Sequence, residues 1–261
     1  MTYRLTVTKP GVALVLGGSG GAGEAISRAL AAAGSSLAIA YNTAGEKAQR
    51  VAKEIAATGV SASAHKINLT DAPSTIDTIR KIGAEQGIHT LVYAVGPLFT
   101  WASIGDIPPN ELKDVLAIET AGFHTAVFAA LPFLRTSHGS IVACTTWANT
   151  RMMPGDGLSS VPKAAIDSMM RQLAREEAQY LVRANIVGVG STNIGMGNAE
   201  NPRNMVSGIS DEQWEVMLRQ IPLGNRLGRG EELASAAVFF ASDQASYITG
   251  QQVIVDGGLS L

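Results

Sequence analysis

Val12-Ala13-Leu14-Val15-Leu16-Gly17-Gly18-Ser19-Gly20-Gly21-Ala22-Gly23 is the stretch from which the rest of the chain can be read. Five apolar residues stopped abruptly by glycine have the pattern of a short strand buried on both faces. The segment after them, Ala22 to Ala33, has helical composition, and Gly34 is placed to act as its C′ residue. Strand, glycine turn and helix in that order make an anion site, because the first N–H groups of the helix are unpaired and carry a partial positive charge. Glycine lets a pyrophosphate approach the backbone with no Cβ in the way. A plain tight turn would also use such small residues. The strand and helix patterns that keep alternating through the rest of the chain favour the dinucleotide site.

Outward from this stretch, strands are expected at Ser36 to Tyr41, Ser61 to Ile67, Thr90 to Val95, Ser140 to Thr145, Arg183 to Val189 and Gln252 to Val255. Helices are expected at Glu46 to Thr58, Pro73 to Gln86, Asn110 to Arg135, Val161 to Tyr180, Asp211 to Gln220 and Glu231 to Ser242. The Glu46 helix is amphipathic, with Ala48, Val51, Ala52 and Ile55 on one face. The Val161 helix turns Ile166, Met169, Met170 and Leu173 inward. Residues 190–210 are rich in Gly, Asn and Ser, as expected of a mobile loop beside a substrate, and 190–222 is the expected substrate segment. This order predicts an α/β fold: a doubly wound parallel sheet of about seven strands, in a single domain over residues 1–261. Ligands in such folds lie beyond the carboxyl ends of the strands, where the glycine loop sits.

Composition narrows the function classes. A formal charge of −2 gives no electrostatic case for nucleic acid or an anionic membrane. No uninterrupted apolar run approaches the ~20 residues of a membrane span. Met1 to Pro10 is polar and carries Arg4 and Lys9, unlike a signal peptide, so a cytoplasmic protein is expected. Cys144 is the only cysteine, and His65, His89, His124 and His138 are scattered without ligand spacing; no metal site is expected.

With these motifs in place, the chain resembles the short-chain dehydrogenase/reductase family over nearly its whole length. Gly17, Gly21 and Gly23 match that family's Thr-Gly-x-x-x-Gly-x-Gly, with Leu16 in place of the threonine. Ser159-Ser160-Val161-Pro162-Lys163 lies where the family has Tyr-x-x-x-Lys. Ile248-Thr249-Gly250-Gln251 and Val255-Asp256-Gly257-Gly258 resemble its C-terminal signature. The resemblance implies a seven-stranded Rossmann-type sheet, a nicotinamide dinucleotide, a small-molecule substrate and a homodimer or homotetramer.

It also implies a cofactor site. Its residues are Gly17, Ser19, Gly20, Gly21, Ala22 and Gly23 of the loop, and Tyr41, Asn42 and Thr43 after the second strand. Asn68 and Leu69 stand for the family's adenine-contacting Asp-Val pair, and Ala94, Val95 and Gly96 lie in the place of Asn-Asn-Ala-Gly. Lys163, Gly190 and Thr192 complete the set. Tyr41 stands where an NAD-dependent member usually places an aspartate, so a 2′-phosphate meets no carboxylate and NADP(H) is favoured over NAD(H). The glycine loop itself lacks the Arg or Lys that would grip that phosphate. Tyr41 as a simple end to the strand remains the plain alternative.

At the catalytic positions the resemblance assigns Lys163 to the lysine, Thr146 to the serine, Glu119 to the asparagine and Ser159 to the tyrosine. The last is a chemical change: a phenol titrates near 10 in model peptides, whereas an aliphatic hydroxyl is a far weaker acid. Asp156, seven residues before Lys163, coincides with the Tyr-x-x-x-x-x-x-Lys spacing of related enoyl-thioester reductases, with an acid for the phenol. A serine four before the lysine is also similar to dienoyl-CoA reductases, which reduce a carbon–carbon double bond. Asp156 between Gly155 and Gly157 also reads as a solvated loop carboxylate, and Glu119 as a helix residue ion-paired for stability. The expected proton source is a carboxylate or water rather than Ser159, with Glu119 before Asp156 among the carboxylates. Trp101, Trp147, Met152, Met153, Met196 and Met205 suggest an apolar pocket, although such residues near loops also serve as plain packing. Two functions follow. One is an NADP(H)-dependent oxidoreductase acting on an activated double bond or carbonyl of a small apolar substrate. The other is a redox-inactive homologue serving as a binding protein, isomerase or cyclase.

Overall fold

A computed structural model describes residues 5–194 and 210–261. Seven parallel strands form one sheet in the order β3-β2-β1-β4-β5-β6-β7. They are β1 (Val12–Leu16), β2 (Ser36–Tyr41), β3 (Ala62–Lys66), β4 (Ile88–Tyr93), β5 (Ser140–Thr146), β6 (Arg183–Val189) and β7 (Gln252–Val255). β1, β4 and β5 are buried at every position, which accounts for the unbroken apolar sequence of β1 and the lack of polar alternation in the other two. β1 pairs with β2 on one side and β4 on the other, so the strand order reverses at its carboxyl end and leaves a crevice there.

Helices cover both faces. The core on one face packs Ile26, Leu30, Val51, Ile55, Leu233 and Val238 against the sheet. These come from α1 (Gly21–Ala32), α2 (Gly45–Ala56) and α8 (Gly230–Ala241). The other core packs Ile79, Ile82, Phe123, Val127, Ile166 and Met170. Those belong to α3 (Ala72–Gln86), to the helical stretch of α4 (Pro109–Leu116) and α5 (Gly122–Ser137), and to α6 (Gly157–Glu176). A shorter helix, α7 (Asp211–Arg219), precedes α8. The doubly wound single domain is as expected. Most of the 190–210 loop, with Met196 and Met205, lies outside the described residues, as does Arg4.

Two helices depart from expectation. The Asn110 to Arg135 helix is broken by a π segment, Ala117–Ala121, whose wider turn contains Glu119. The cause is tertiary: the buried Tyr93 hydroxyl donates to the carbonyls of Glu119 (3.0 Å) and Ile118 (3.3 Å), giving that turn partners outside the helix. Pro109–Ser137 is also long and apolar enough to span a bilayer, yet it packs on β4 and α3 and carries the buried Glu119. It reads as a core helix. The second departure is α6, which starts at Gly157 rather than Val161 and so gains a turn that carries Leu158 and Ser159.

Candidate active site

The carboxyl ends of β1, β4, β5 and β6 open into a cavity of about 790 Å³, within the range of cofactor and ligand sites. At one end lie Ser19, Gly20, Gly21 and Ala22, with Thr43, Ala44 and Lys47 beside them. α1 begins here with Gly20 as its N-cap and no side chain capping it, which leaves its first N–H groups for an anion. Gly17 and Gly23 are not in the cavity wall; they shape the loop. Gly17 has φ +73°, and a Cβ there would stand 2.5 Å from the Ala94 carbonyl oxygen. At Gly23 a Cβ would collide with the Gly17 carbonyl. The glycines thus divide the work, Gly17 and Gly23 letting the chain fold back on itself while Gly20 and Gly21 line the space for a ligand.

Of the remaining expected cofactor residues, Ala94, Val95, Gly96, Gly190, Thr192 and Lys163 line the cavity. Tyr41, Asn42, Asn68 and Leu69 do not form its wall. The Asn68 side-chain oxygen is taken by its own turn, accepting from Thr70 N (3.2 Å) and Thr70 Oγ1 (2.8 Å). Leu69 packs against the α5 start at Gly122. A cation not singled out in the sequence, Lys47 in the first turn of α2, also lines this end. Lys47 Nζ sits 3.0 Å from Glu24 Oε2, and Glu24 is also paired with Arg28 (2.9 Å). The signal was available: the first turn of the helix after β2 borders the site of a dinucleotide's ribose.

At the other end lie Thr146, Asp156, Ser159 and Lys163. Asp156, Ser159 and Lys163 are spaced by three and four residues, so they share one face at the start of α6. Lys163 is buried, and its Nζ donates to the Val95 carbonyl (2.7 Å) and lies 2.5 Å from Glu119 Oε2. The Val95 carbonyl takes one of its donors and Glu119 balances its charge, which leaves a donor for a ligand. Glu119 is 2 % exposed and lies behind the lysine rather than in the cavity wall. Burial pushes its carboxyl above the usual range, although Lys163 pulls the other way.

Asp156 is no solvated loop residue. It is 7 % exposed, covered through an isolated bridge with Ala102, and occupies the N-cap position of α6. An aspartate there normally spends its carboxylate on the helix N–H groups, but this side chain makes no such bond. Instead its main-chain carbonyl accepts from Ser159 N (3.0 Å), Ser160 N (2.8 Å) and Ser160 Oγ (3.0 Å). The carboxyl, unused as a cap, lines the cavity with Ser159 one turn on. Burial pushes it up to about 7, with the Glu119 charge adding to the rise and the Ser159 hydroxyl opposing it. The two other polar groups nearby are poorer acids. Burial drives the Tyr93 phenol well above 10, and it drives the Cys144 thiol up to about 12. Thr146 Oγ1 accepts from Ala148 N (3.2 Å), which leaves its own proton to donate.

Residues 17–260 match the family model described as enoyl-(acyl carrier protein) reductase. The chain belongs to the short-chain dehydrogenase/reductase family. It is 31 % identical over 248 residues to the 3-oxoacyl-[acyl-carrier-protein] reductase FabG of Staphylococcus aureus, covering 95 % of this chain and 97 % of that protein. The Escherichia coli protein of the same name is 29 % identical over 249 residues, covering 95 % and 96 %. A short-chain dehydrogenase from Burkholderia cenocepacia, solved in complex with NADP, superposes with a TM-score of 0.87 at 26 % identity, covering 99 % and 100 % of the two chains. A Sinorhizobium meliloti dehydrogenase/reductase gives 0.85 at 28 % identity, covering 99 % and 97 %. This short-chain dehydrogenase/reductase is an oxidoreductase, which favours the first of the two functions over the redox-inactive alternative. A nicotinamide cofactor fits the residues present: an uncapped helix N-terminus behind glycines at one end of the cavity, and a buried lysine with a spare donor at the other.

Proposed function

We propose that the protein is an NADP(H)-dependent reductase of an activated carbon–carbon double bond or carbonyl, with Asp156 as its proton donor in place of a tyrosine. The observation that carries this reading is the uncapping carboxyl of Asp156, buried at the cavity wall on the same helical face as Ser159 and Lys163. It ranks Asp156 ahead of Glu119, whose carboxylate is occupied by Lys163. The family match to enoyl reductases supports a double bond as the target.

A nicotinamide bound along the cleft supplies the hydride. The protein's own residues do the rest. Ser19 to Ala22 receive the pyrophosphate at the α1 N-terminus, and Lys47 provides the positive charge for a 2′-phosphate. Lys163, steadied by Glu119 and the Val95 carbonyl, holds ribose with its remaining N–H. Thr146 donates to the substrate oxygen and orients it. Neutral Asp156 then gives its proton to the reduced substrate, and Ser159 stabilises the carboxylate that forms. Residues 190–222 form the substrate segment, and the active assembly is a homodimer or homotetramer.

Following oxidation of NADPH with activated enones and ketones tests the assignment. Asp156→Asn should lose ~10²-fold or more in turnover, as expected for a general acid, and Ser159→Ala less than ~10-fold. A large loss in Ser159→Ala with Asp156→Asn and Glu119→Gln unaffected would make Ser159 the catalytic group instead.

A further inference from the structure

The chain has three tryptophans, Trp101, Trp147 and Trp214, and all three line the one cleft. They come from separate elements: the segment after β4, the turn after β5, and α7. Trp101 is set directly over Gly155, where a Cβ would collide with the indole Nε1, so the ring lies beside the residue preceding Asp156. Gly155 has φ +90°, so both its backbone and the indole require glycine there. Beyond the tryptophans the cleft continues into an annex of about 360 Å³, lined by Trp101, Trp147, Met153, Pro154, Val216 and Leu259. Met152, by contrast, points to solvent and takes no part.

The polar complement of this end is one-sided. Glu212, Gln213 and Gln220 complete the annex wall, and no Lys or Arg is among its described lining residues. In the main cavity the lining cations are Lys47 at the loop end and Lys163, which is already paired with Glu119. An acyl group delivered on a phosphate-bearing carrier therefore finds no counter-charge among the described lining residues; Arg151, outside the wall, donates to the Leu259 (3.1 Å) and Leu261 (3.4 Å) carbonyls. A flat apolar body does find complementary surface. Indoles pair favourably with aromatic rings by offset or edge-to-face contact, and do so without a charge partner.

We infer that the substrate end of the cleft takes an uncharged, planar aryl carbonyl compound, such as an aryl enone, rather than a carrier-linked acyl chain. This inference rests on the reading of the cleft as a reductase site. The acceptor double bond or carbonyl lies toward Asp156, and the ring is held among Trp101, Trp147 and Met153 at the mouth of the annex.

The test is calorimetric binding to the full chain loaded with NADP⁺, so that no reduction occurs. The ligands are benzylideneacetone, a linear aliphatic enone with the same number of heavy atoms, and acetoacetyl-coenzyme A. Benzylideneacetone should bind at least ~10-fold more tightly than the linear enone, the value of one or two aromatic contacts. Trp101→Leu and Trp147→Leu should each weaken benzylideneacetone by about 3- to 10-fold, and by more than they weaken the linear enone. Equal affinities for the two enones, tighter binding of acetoacetyl-coenzyme A, or no effect of either tryptophan variant would overturn the inference. Loading with NADP⁺ is itself measured first. Failure to load would count against the reductase reading, whereas normal loading without aryl preference would count against the aryl assignment alone.

Discussion

Asp156→Asn should make the protein less active and more stable at once. Raising a carboxyl from its ordinary 3.8 to about 7 corresponds to about 4 kcal/mol of preference for the neutral form. Because the folded-state value is the higher one, the folded protein binds the proton more tightly than the unfolded chain. Stability is therefore greatest below pH ~4, falls as pH rises through the window from about 4 to 7, and stays lowered above it. Asparagine cannot ionise, so the variant should gain up to ~4 kcal/mol over the parent at pH 8 and nothing at pH 4. Activity runs the other way. With the carboxyl titrating at about 7, the donor is about nine-tenths protonated at pH 6 and one-tenth at pH 8, so kcat/KM for reduction should fall about tenfold between them. The variant should lose ~10²-fold at pH 6 and show a flat profile over the same range. Urea unfolding and initial rates across pH 5–9 measure both. A variant that is destabilised at pH 8, or one whose rate keeps the parent's falling limb, would refute the buried neutral acid.

Glu119→Gln leaves the Lys163 ammonium buried without its partner, and should cost roughly 3–5 kcal/mol in thermal or urea unfolding; an unchanged stability would mean Lys163 relaxes into solvent. Lys47→Gln should weaken NADPH about tenfold and NADH little; a parallel loss for both dinucleotides would remove Lys47 from the 2′-phosphate. Gly21→Val should abolish dinucleotide binding in a protein that still folds, since Gly21 stands in the cavity wall, whereas Gly23→Ala should unfold, its Cβ meeting the Gly17 carbonyl. Retained affinity in folded Gly21→Val would place the phosphates elsewhere.

What could be read in the sequence was what local pattern controls. The buried strands stand out because two covered faces leave no polar alternation, and Gly17 to Gly23 stand out because the chain turns back on itself within seven residues. What could not be read depends on contacts from distant segments. Nothing in Ala117–Ala121 announces a π turn; the Tyr93 hydroxyl arriving from β4 supports it. Asp156 between two glycines looks solvated until Ala102 bridges to it and Trp101 packs on the neighbouring Gly155. The sign of the Glu119 shift was likewise open, since burial and the lysine oppose each other, and burial prevails. The π turn and the covered aspartate both lie at the candidate site, where side chains answer to chemistry as well as to folding.

The central claim is that this cleft holds a nicotinamide dinucleotide with its 2′-phosphate at Lys47. Calorimetric titration of the purified chain with NADPH and NADH in parallel tests it most directly. The account predicts saturable binding of one dinucleotide per chain, tighter for NADPH than for NADH, with the difference shrinking as salt is raised. No binding of either, or equal affinity for both at every salt concentration, would contradict it.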